Sequence, residues 1–461
     1  MWLRRYKRPT PIIARMEKLL RDAAGRGIRY RESLHERRVA PAPESVARLE
    51  QLRTPLPAEP ADPAAVLALL DDIGSPATVA SAGGRYFGFV NGSSLPAALA
   101  ASWLVSAWDQ NACLSVMSPV SVALEEIALA WLLDIFGLPE SCGGSFVTGA
   151  TMANFTALAA ARHSVLKRAG WDVEARGLFG APPVTVVVGA EAHPTLLKAL
   201  GLLGLGRDRV LTVAADGQGR MRADDLPRIT APAVVCMQAG NVNTGAFDPA
   251  KEICARAHAA GAWVHVDGAF GLWALAAPER AHLAAGFRHA DSWATDAHKW
   301  LNAGYDCGLA FVRDEEALRA AMAIGATYLP PQGVREPMHY TPEASRRARA
   351  VEVWAALRSL GRRGLADLIE RNCRQAARLA EGLRAAGCDI LNEVVINQVL
   401  VSFGDDARTR QAIAAIQEEG TCWCGGTVWQ GRTAMRISVS SWATTEADID
   451  RALAAILRAA P

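Results

Sequence analysis

Between residue 81 and about residue 315, short apolar runs keep returning: Val184–Val188, Val210–Val213, Val234–Met237, Trp263–Val266 and Leu309–Val312. Ala-rich segments with helical character, such as Ala250–Ala260, separate them. Runs of strand length alternating with helices predict a mainly parallel sheet covered by helices, because parallel strands need crossover connections and those crossovers pack on the sheet faces. Ligands of such sheets bind at the carboxyl ends of the strands. The residues just after each run are therefore the first place to look for chemistry.

The flanks read differently. Residues 1–80 form a helical arm, with charged and apolar residues alternating at helical spacing from Ile12 to Arg38 and a Pro-rich break from Pro41 to Pro63. Such an arm has too little apolar surface to fold alone and is expected to pack on another subunit. The large domain takes residues 81–345. A small α+β domain takes 346–461, with an amphipathic helix through Arg358, another from Leu365 to Ala386, strands at Val394–Phe403 and Ala434–Val439, and a final helix. A net charge of +2 gives no reason to expect a nucleic-acid partner. Cys422 and Cys424 form a lone C-x-C pair with no second pair at ligand spacing, so no metal is expected. Scattered, unpaired cysteines suit a reduced compartment, and no run is apolar enough for a membrane span or signal peptide. The expected location is the cytoplasm. The basic start (Arg4, Arg5, Lys7, Arg8) reads as a solvated terminus.

Three motifs stand where the strand-end rule points. The run Trp263–Val266 ends in Asp267, and His298-Lys299-Trp300 follows downstream. A buried acid at a strand end is costly unless a cation meets it. A protonated pyridine nitrogen, as in pyridoxal 5'-phosphate (PLP), is such a cation, and a lysine able to lose its proton can hold that cofactor as a Schiff base. Taken singly, the acid also fits a core ion pair and the lysine a surface position. The second motif, Thr148-Gly149-Ala150-Thr151-Met152-Ala153-Asn154, opens a helix with small residues, as a phosphate site does; such turns are also common without a ligand. In the third, Glu191-Ala192-His193-Pro194 follows the run Val184–Val188, and His193 can lie over a flat ring or be a loop histidine with no role.

Together with Asn243–Pro249 (Asn-Thr-Gly-Ala-Phe-Asp-Pro), His265–Gly271 and Asp291–Asn302, these motifs resemble the group II PLP-dependent decarboxylases, the family of aromatic-L-amino-acid, glutamate and histidine decarboxylases. The resemblance runs from about Tyr86 to the final helix. It implies a fold type I PLP-dependent transferase, an α/β fold whose mainly parallel, seven-stranded-type sheet has helices on both faces. It also implies a homodimer with active sites at the interface.

Carried over residue by residue, the resemblance makes Lys299 the Schiff-base lysine and Asp267 the pyridine-nitrogen partner. Ala269 lies below the ring and His193 stacks on it. Thr151 and Met152 offer backbone amides to the phosphate, with Ser292, Asp296 and His298 near it and Asn241 near the ring. Asp296 departs from the asparagine common in relatives; a carboxylate facing a phosphate must either point away or be held by a cation. Tyr328, 29 residues after the lysine, matches a loop tyrosine that protonates Cα after CO₂ leaves; a packing anchor is the alternative. Arg436 matches an arginine that meets a substrate carboxylate, or else closes a strand ion pair. Phe89, Val90, Asn91 and Trp108 are candidate lining residues of the side-chain pocket. The expected reaction is decarboxylation of an L-amino acid, with an aromatic or other apolar side chain favoured. Transamination, or decarboxylation coupled to oxidative deamination to an aldehyde, is the alternative on the same fold.

Overall fold

The computed structural model describes residues 11–325 and 335–460. In chain order the strands of the large sheet are β1 (Gly143–Val147), β2 (Thr185–Gly189), β3 (Leu211–Val213), β4 (Ala233–Gln238), β5 (Trp263–Asp267), β6 (Ser292–Asp296) and β7 (Gly308–Val312). Across the sheet they run β1-β7-β6-β5-β4-β2-β3. Pairing is parallel from β3 to β6. Strand β7 runs against both of its neighbours, β6 and β1. The sheet is therefore mainly parallel, with one reversed strand, as the resemblance implies.

Its two faces are covered separately, because successive side chains on a strand point to opposite sides. Val186, Val188, Val234 and Cys236 pack with Leu158 and Ala161 of the helix Ala150–Arg168 and Leu196 and Leu200 of the helix Pro194–Leu202. Val187, Val235, Val264 and Val266 face the other way, onto Leu132 and Phe136 of the helix Pro119–Phe136 and Ile253 of the helix Ala250–Ala259. Strands β4 and β5 are buried at every position, which explains their unbroken apolar runs.

A second, antiparallel sheet contains β8 (Asp389–Ile390), β9 (Gln398–Ser402), β10 (Gly425–Trp429) and β11 (Arg432–Ser438), in the order β10-β11-β9-β8. The helices Asp406–Glu419 and Glu446–Ala459 help build its core. The segment Arg349–Ala385 is two helices that meet at a kink at Gly361 (φ 60°), one for each of the two amphipathic segments expected there. Its residues through Cys373 pack into the large-sheet core. From Ala376 onward they pack into the small-sheet core.

The N-terminal segment forms the helices Pro11–Ser33 and Pro63–Ala77, joined through the Pro-rich stretch. Leu20, Ile28, Leu69 and Leu70 on these helices, and Trp103 and Leu104 on the helix Pro96–Trp108, are left exposed. Among the described residues no helix is long and apolar enough to cross a membrane. No group of His, Cys, Asp or Glu among them could hold a metal ion.

Candidate active site

Strand β5 delivers Asp267 to the carboxyl edge of the sheet with only 5% of its surface exposed. Two neutral donors hold the carboxylate: Asn154 Nδ2 donates to Oδ2 at 3.1 Å and the Ala269 amide to Oδ1 at 3.2 Å. No cationic side chain among the described residues forms an ion pair with it. Behind Asp267 runs a buried chain of hydrogen bonds whose direction is fixed. Asn154 turns its amide nitrogen to the carboxylate, so its Oδ1 must accept from His265 Nε2 at 2.8 Å. His265 Nδ1 then accepts from the Ser292 hydroxyl at 2.9 Å, and Ser292 Oγ accepts from Trp263 Nε1 at 2.9 Å. Burial pushes His265 down to about 3, so the imidazole stays neutral and keeps this polarity.

Strand β6 ends at Asp296, and the chain turns directly into the lysine. Lys299 Nζ lies 3.1 Å from Asp296 Oδ2 and His298 Nε2 lies 3.5 Å from it. The amide of Ala150 donates to Asp296 Oδ1 at 2.6 Å. Of the two ways to place an acid here, the structure takes the second: Asp296 is held by a cation, and it also satisfies the first amide of the helix. The next two amides, of Thr151 and Met152, sit in the first helical turn, where no intrahelical acceptor exists. The lysine loop is tied down by Asn302. Its Oδ1 accepts from the amides of Ser93 (2.8 Å) and Trp442 (2.9 Å), while Nδ2 donates to the carbonyls of Trp300 (2.8 Å) and Ser440 (2.9 Å).

His193 caps the helix Pro194–Leu202 after β2. Thr195 donates its amide to Nδ1 at 3.3 Å, with its hydroxyl 2.6 Å from the same nitrogen, which leaves the ring proton on Nε2. Burial moves this imidazole below its ordinary range. Arg436 reaches in from β11; among the described residues no carboxylate pairs with it, and its guanidinium lies 6.0 Å from the Phe89 ring centroid. Phe89 and Val90 are both left-handed (φ 55° and 58°), which costs non-glycine residues on the order of 1 kcal/mol each and marks a constrained wall. Phe89 is 58% exposed and tilts against Trp423 at 5.5 Å.

A single cavity of about 770 Å³ collects these groups: Phe89, Thr151, Met152, His193, Asp267, Ala269, Asp296, His298, Lys299 and Arg436 all line it. Five of the expected residues among those described do not. Ser292 begins β6, at the opposite end of the strand from Asp296, and is the remote member of the hydrogen-bond chain rather than a phosphate contact. Asn241 folds back to accept from the amides of Asn243 (2.9 Å) and Thr244 (3.2 Å), building the turn below the site. Val90 points into the large core. Trp108 is exposed at the end of its helix. Asn91 borders the cavity through Tyr305, whose hydroxyl donates to its Oδ1 at 2.7 Å. Tyr328 lies outside the described residues.

The structure adds residues to which the sequence reading gave no role. Asn154 bridges His265 and Asp267, and its place one helical turn after Thr151 was a usable signal. Gln238, Asn243, Thr195 and Thr427 also line the cavity. Tyr305 lines it too, with its ring stacked on His298 at 4.4 Å.

This donor set fits one kind of group. A buried carboxylate with no cationic partner among the described residues suits a protonated ring nitrogen, and two helix amides without an intrahelical acceptor suit an anion. A lysine amine and an imidazole line the same cavity. A flat cationic ring with a phosphate arm and an electrophilic carbon matches all four.

Comparison with known proteins agrees. The pyridoxal-dependent decarboxylase conserved domain matches residues 56–404. L-2,4-diaminobutyrate decarboxylase of Rhizobium meliloti is 32% identical over 381 residues, 78% of this chain and 74% of that protein. An acidic amino acid decarboxylase of Bos taurus is 30% identical over 62% of this chain, which spans 57% of the relative's length. Tryptophan decarboxylase 1 of rice, Oryza sativa, is 26% identical over 77% of this chain and 76% of its own. Among solved structures, Oryza sativa TDC with PLP and tryptamine superposes with a TM-score of 0.90 at 22% identity, covering 99% of each chain. Mouse CSAD in its apo form gives 0.88 at 24% identity, over 98% of this chain and 99% of that one.

Proposed function

The chain belongs to the pyridoxal-dependent decarboxylases, enzymes that use PLP to remove CO₂ from amino acids, and on that premise we propose that it decarboxylates an L-amino acid with an aromatic or other apolar side chain. The observation that carries the assignment of the site is Asp267: a buried carboxylate, fixed by neutral donors only, in the same cavity as Lys299. PLP supplies an electron sink for the bond between Cα and the leaving carboxylate.

The chain's own residues supply the rest. Asp267 holds a proton on the ring nitrogen, and the oriented chain through Asn154 and His265 keeps that carboxylate from turning away. Lys299 Nζ would be the amine that holds the cofactor through its carbonyl carbon. The amides of Thr151 and Met152 bind the phosphate. His193, neutral and held by Thr195, would lie against the ring and offer the proton on Nε2. Arg436 orients the substrate through a carboxylate. Tyr328 would be the acid that returns a proton to Cα.

The aromatic preference rests on Phe89, with Trp423 behind it, and on Tyr305, which also lines the cavity. A second reading, an acidic side chain, is favoured by Arg436, which has no carboxylate partner among the described residues; the acidic amino acid relatives agree with it. We further propose a homodimer, supported by the exposed apolar residues of the N-terminal helices and of the helix Pro96–Trp108. One experiment tests the function: incubate the PLP-loaded enzyme with each of the twenty amino acids, DOPA and 5-hydroxytryptophan, and quantify amine, aldehyde and CO₂. Amine from an aromatic substrate is expected. Amine from glutamate or aspartate alone would replace the first reading with the second, and aldehyde as the main product would refute simple decarboxylation.

A further inference from the structure

We propose that Tyr305 is a positioning residue that sets side-chain selectivity, by latching the Phe89 wall to the lysine loop through Asn91. This rests on the proposed amino-acid decarboxylation, in which Phe89 meets the substrate side chain.

The wall is the stretch Gly88–Asn91, and it is anchored firmly at both ends. On one side the Phe87 amide donates to the Trp423 carbonyl at 2.9 Å, and Tyr86 stacks on the Trp423 ring at 5.1 Å. On the other side the chain lies hard against the lysine loop: a Cβ on Gly92 would come within 1.9 Å of the Lys299 carbonyl. There the Ser93 amide donates to Asn302 Oδ1 at 2.8 Å, and the Leu95 amide to the Asn302 carbonyl at 2.9 Å.

Between these anchors sit Phe89 and Val90, two consecutive non-glycine residues in the left-handed region. Val90 is β-branched and disfavours that region most. Its side chain is buried in the large core, which fixes it there, but Phe89 faces the cavity with more than half its surface exposed. Among the described residues, the stretch 88–91 receives one side-chain hydrogen bond: the Tyr305 hydroxyl on Asn91 Oδ1, at 2.7 Å. Tyr305 can deliver it because its own ring is stacked on His298, whose Nδ1 accepts from the Cys307 amide at 3.2 Å. The latch therefore joins the wall that touches the substrate to the loop that carries Lys299. Without the hydroxyl, a strained backbone with an exposed aromatic ring has one constraint fewer, and the ring is free to shift toward or away from the substrate side chain.

The test uses PLP-loaded wild type, Tyr305→Phe, Asn91→Leu, Asn91→Asp and the double variant Tyr305→Phe/Asn91→Leu. Affinities for L-alanine, L-leucine, L-phenylalanine, L-tryptophan and L-glutamate are read from the change in visible absorption on mixing. For amino acids that turn over, kcat and KM are measured separately. The bond is exposed, so water competes for it, and its loss should shift the selectivity between the largest and smallest bound side chains by roughly two- to threefold. The shift should appear in KM more than in kcat. Tyr305→Phe and Asn91→Leu should shift it equally, and the double variant no further, because both remove one bond. Asn91→Asp keeps an acceptor oxygen and should keep the wild-type ratio. A Tyr305→Phe profile that superimposes on wild type, or single effects that multiply in the double variant, would overturn the latch. Absence of amine from every amino acid with wild type would instead refute decarboxylation, and the affinity ratios would still judge the latch.

Discussion

Lowering the pH should strain the buried chain behind Asp267, and His265 sets the size of the effect. Burial pushes its imidazole from the ordinary 6.5 to about 3. A histidine depressed in the folded state binds fewer protons there than in the unfolded chain. Its contribution to stability is therefore complete above the unfolded value and is lost as the pH falls from about 6.5 toward about 3. Integrating the difference in bound protons between about pH 7.5 and about pH 5 gives a loss of about 2 kcal/mol from this one ring. The ring is fully buried, so solvent screening takes little from that figure. The perturbation that isolates it is His265→Gln. A glutamine amide can donate to Asn154 Oδ1 as Nε2 does, but it does not titrate in this range. Urea unfolding followed by far-ultraviolet circular dichroism, at the two pH values, gives the acid-induced loss for each protein. His193 and His298 are also depressed by burial, but their terms are common to both proteins and cancel. The expected result is a variant less stable at the higher pH whose acid-induced loss is smaller than wild type's by about 2 kcal/mol. Equal losses would show that His265 can be protonated in place, which would refute the fixed polarity of the chain from Trp263 to Asp267.

Three further outcomes follow from the proposed roles. Lys299→Ala should lose turnover and the borohydride-reducible link to PLP; a variant that keeps the link would remove the lysine from its role. Asp267→Asn should fold but lose about a hundredfold or more in turnover, because the ring nitrogen is no longer held protonated, and near-wild-type rates in steady-state assays would make the acid structural. Tyr328→Phe should bind PLP and substrate yet make amine about 10² to 10⁴ times more slowly, with aldehyde rising in the product mixture; amine at the wild-type rate would make the tyrosine a packing residue.

Sequence and structure agree where a residue's position follows from strand direction. Asp267 and His193 come after parallel strands, so the rule that ligands sit at carboxyl ends pointed straight at them. The same rule hides Tyr305. It lies before β7, and because β7 runs against its neighbours, its beginning lies at the ligand edge. Strand direction is a property of pairing, which no single run displays. Ser292 was misplaced for a related reason: it sits near Asp296 in sequence but at the far end of a fully extended strand. Other expected residues miss the cavity for different reasons. Asn241 and Val90 lie in turns whose side-chain direction depends on tertiary packing, and the surface that Trp108 presents is one the chain leaves uncovered. Arg436 and Thr427 enter from the other sheet, so their nearness to Lys299 follows from how the two sheets dock and not from any local pattern.

The helix that follows the kink at Gly361 changes partners between Cys373 and Ala376, in the middle of regular helical backbone. The seam between the two lobes is therefore crossed by hydrogen-bonded helix with no exposed linker at that point. A protease has no loop to cut there, so digestion under native conditions should not release the small lobe by cleavage at the seam. Recombination meets the same obstacle: a foreign C-terminal lobe joined at that point would have to continue the helix in phase and match both cores at once.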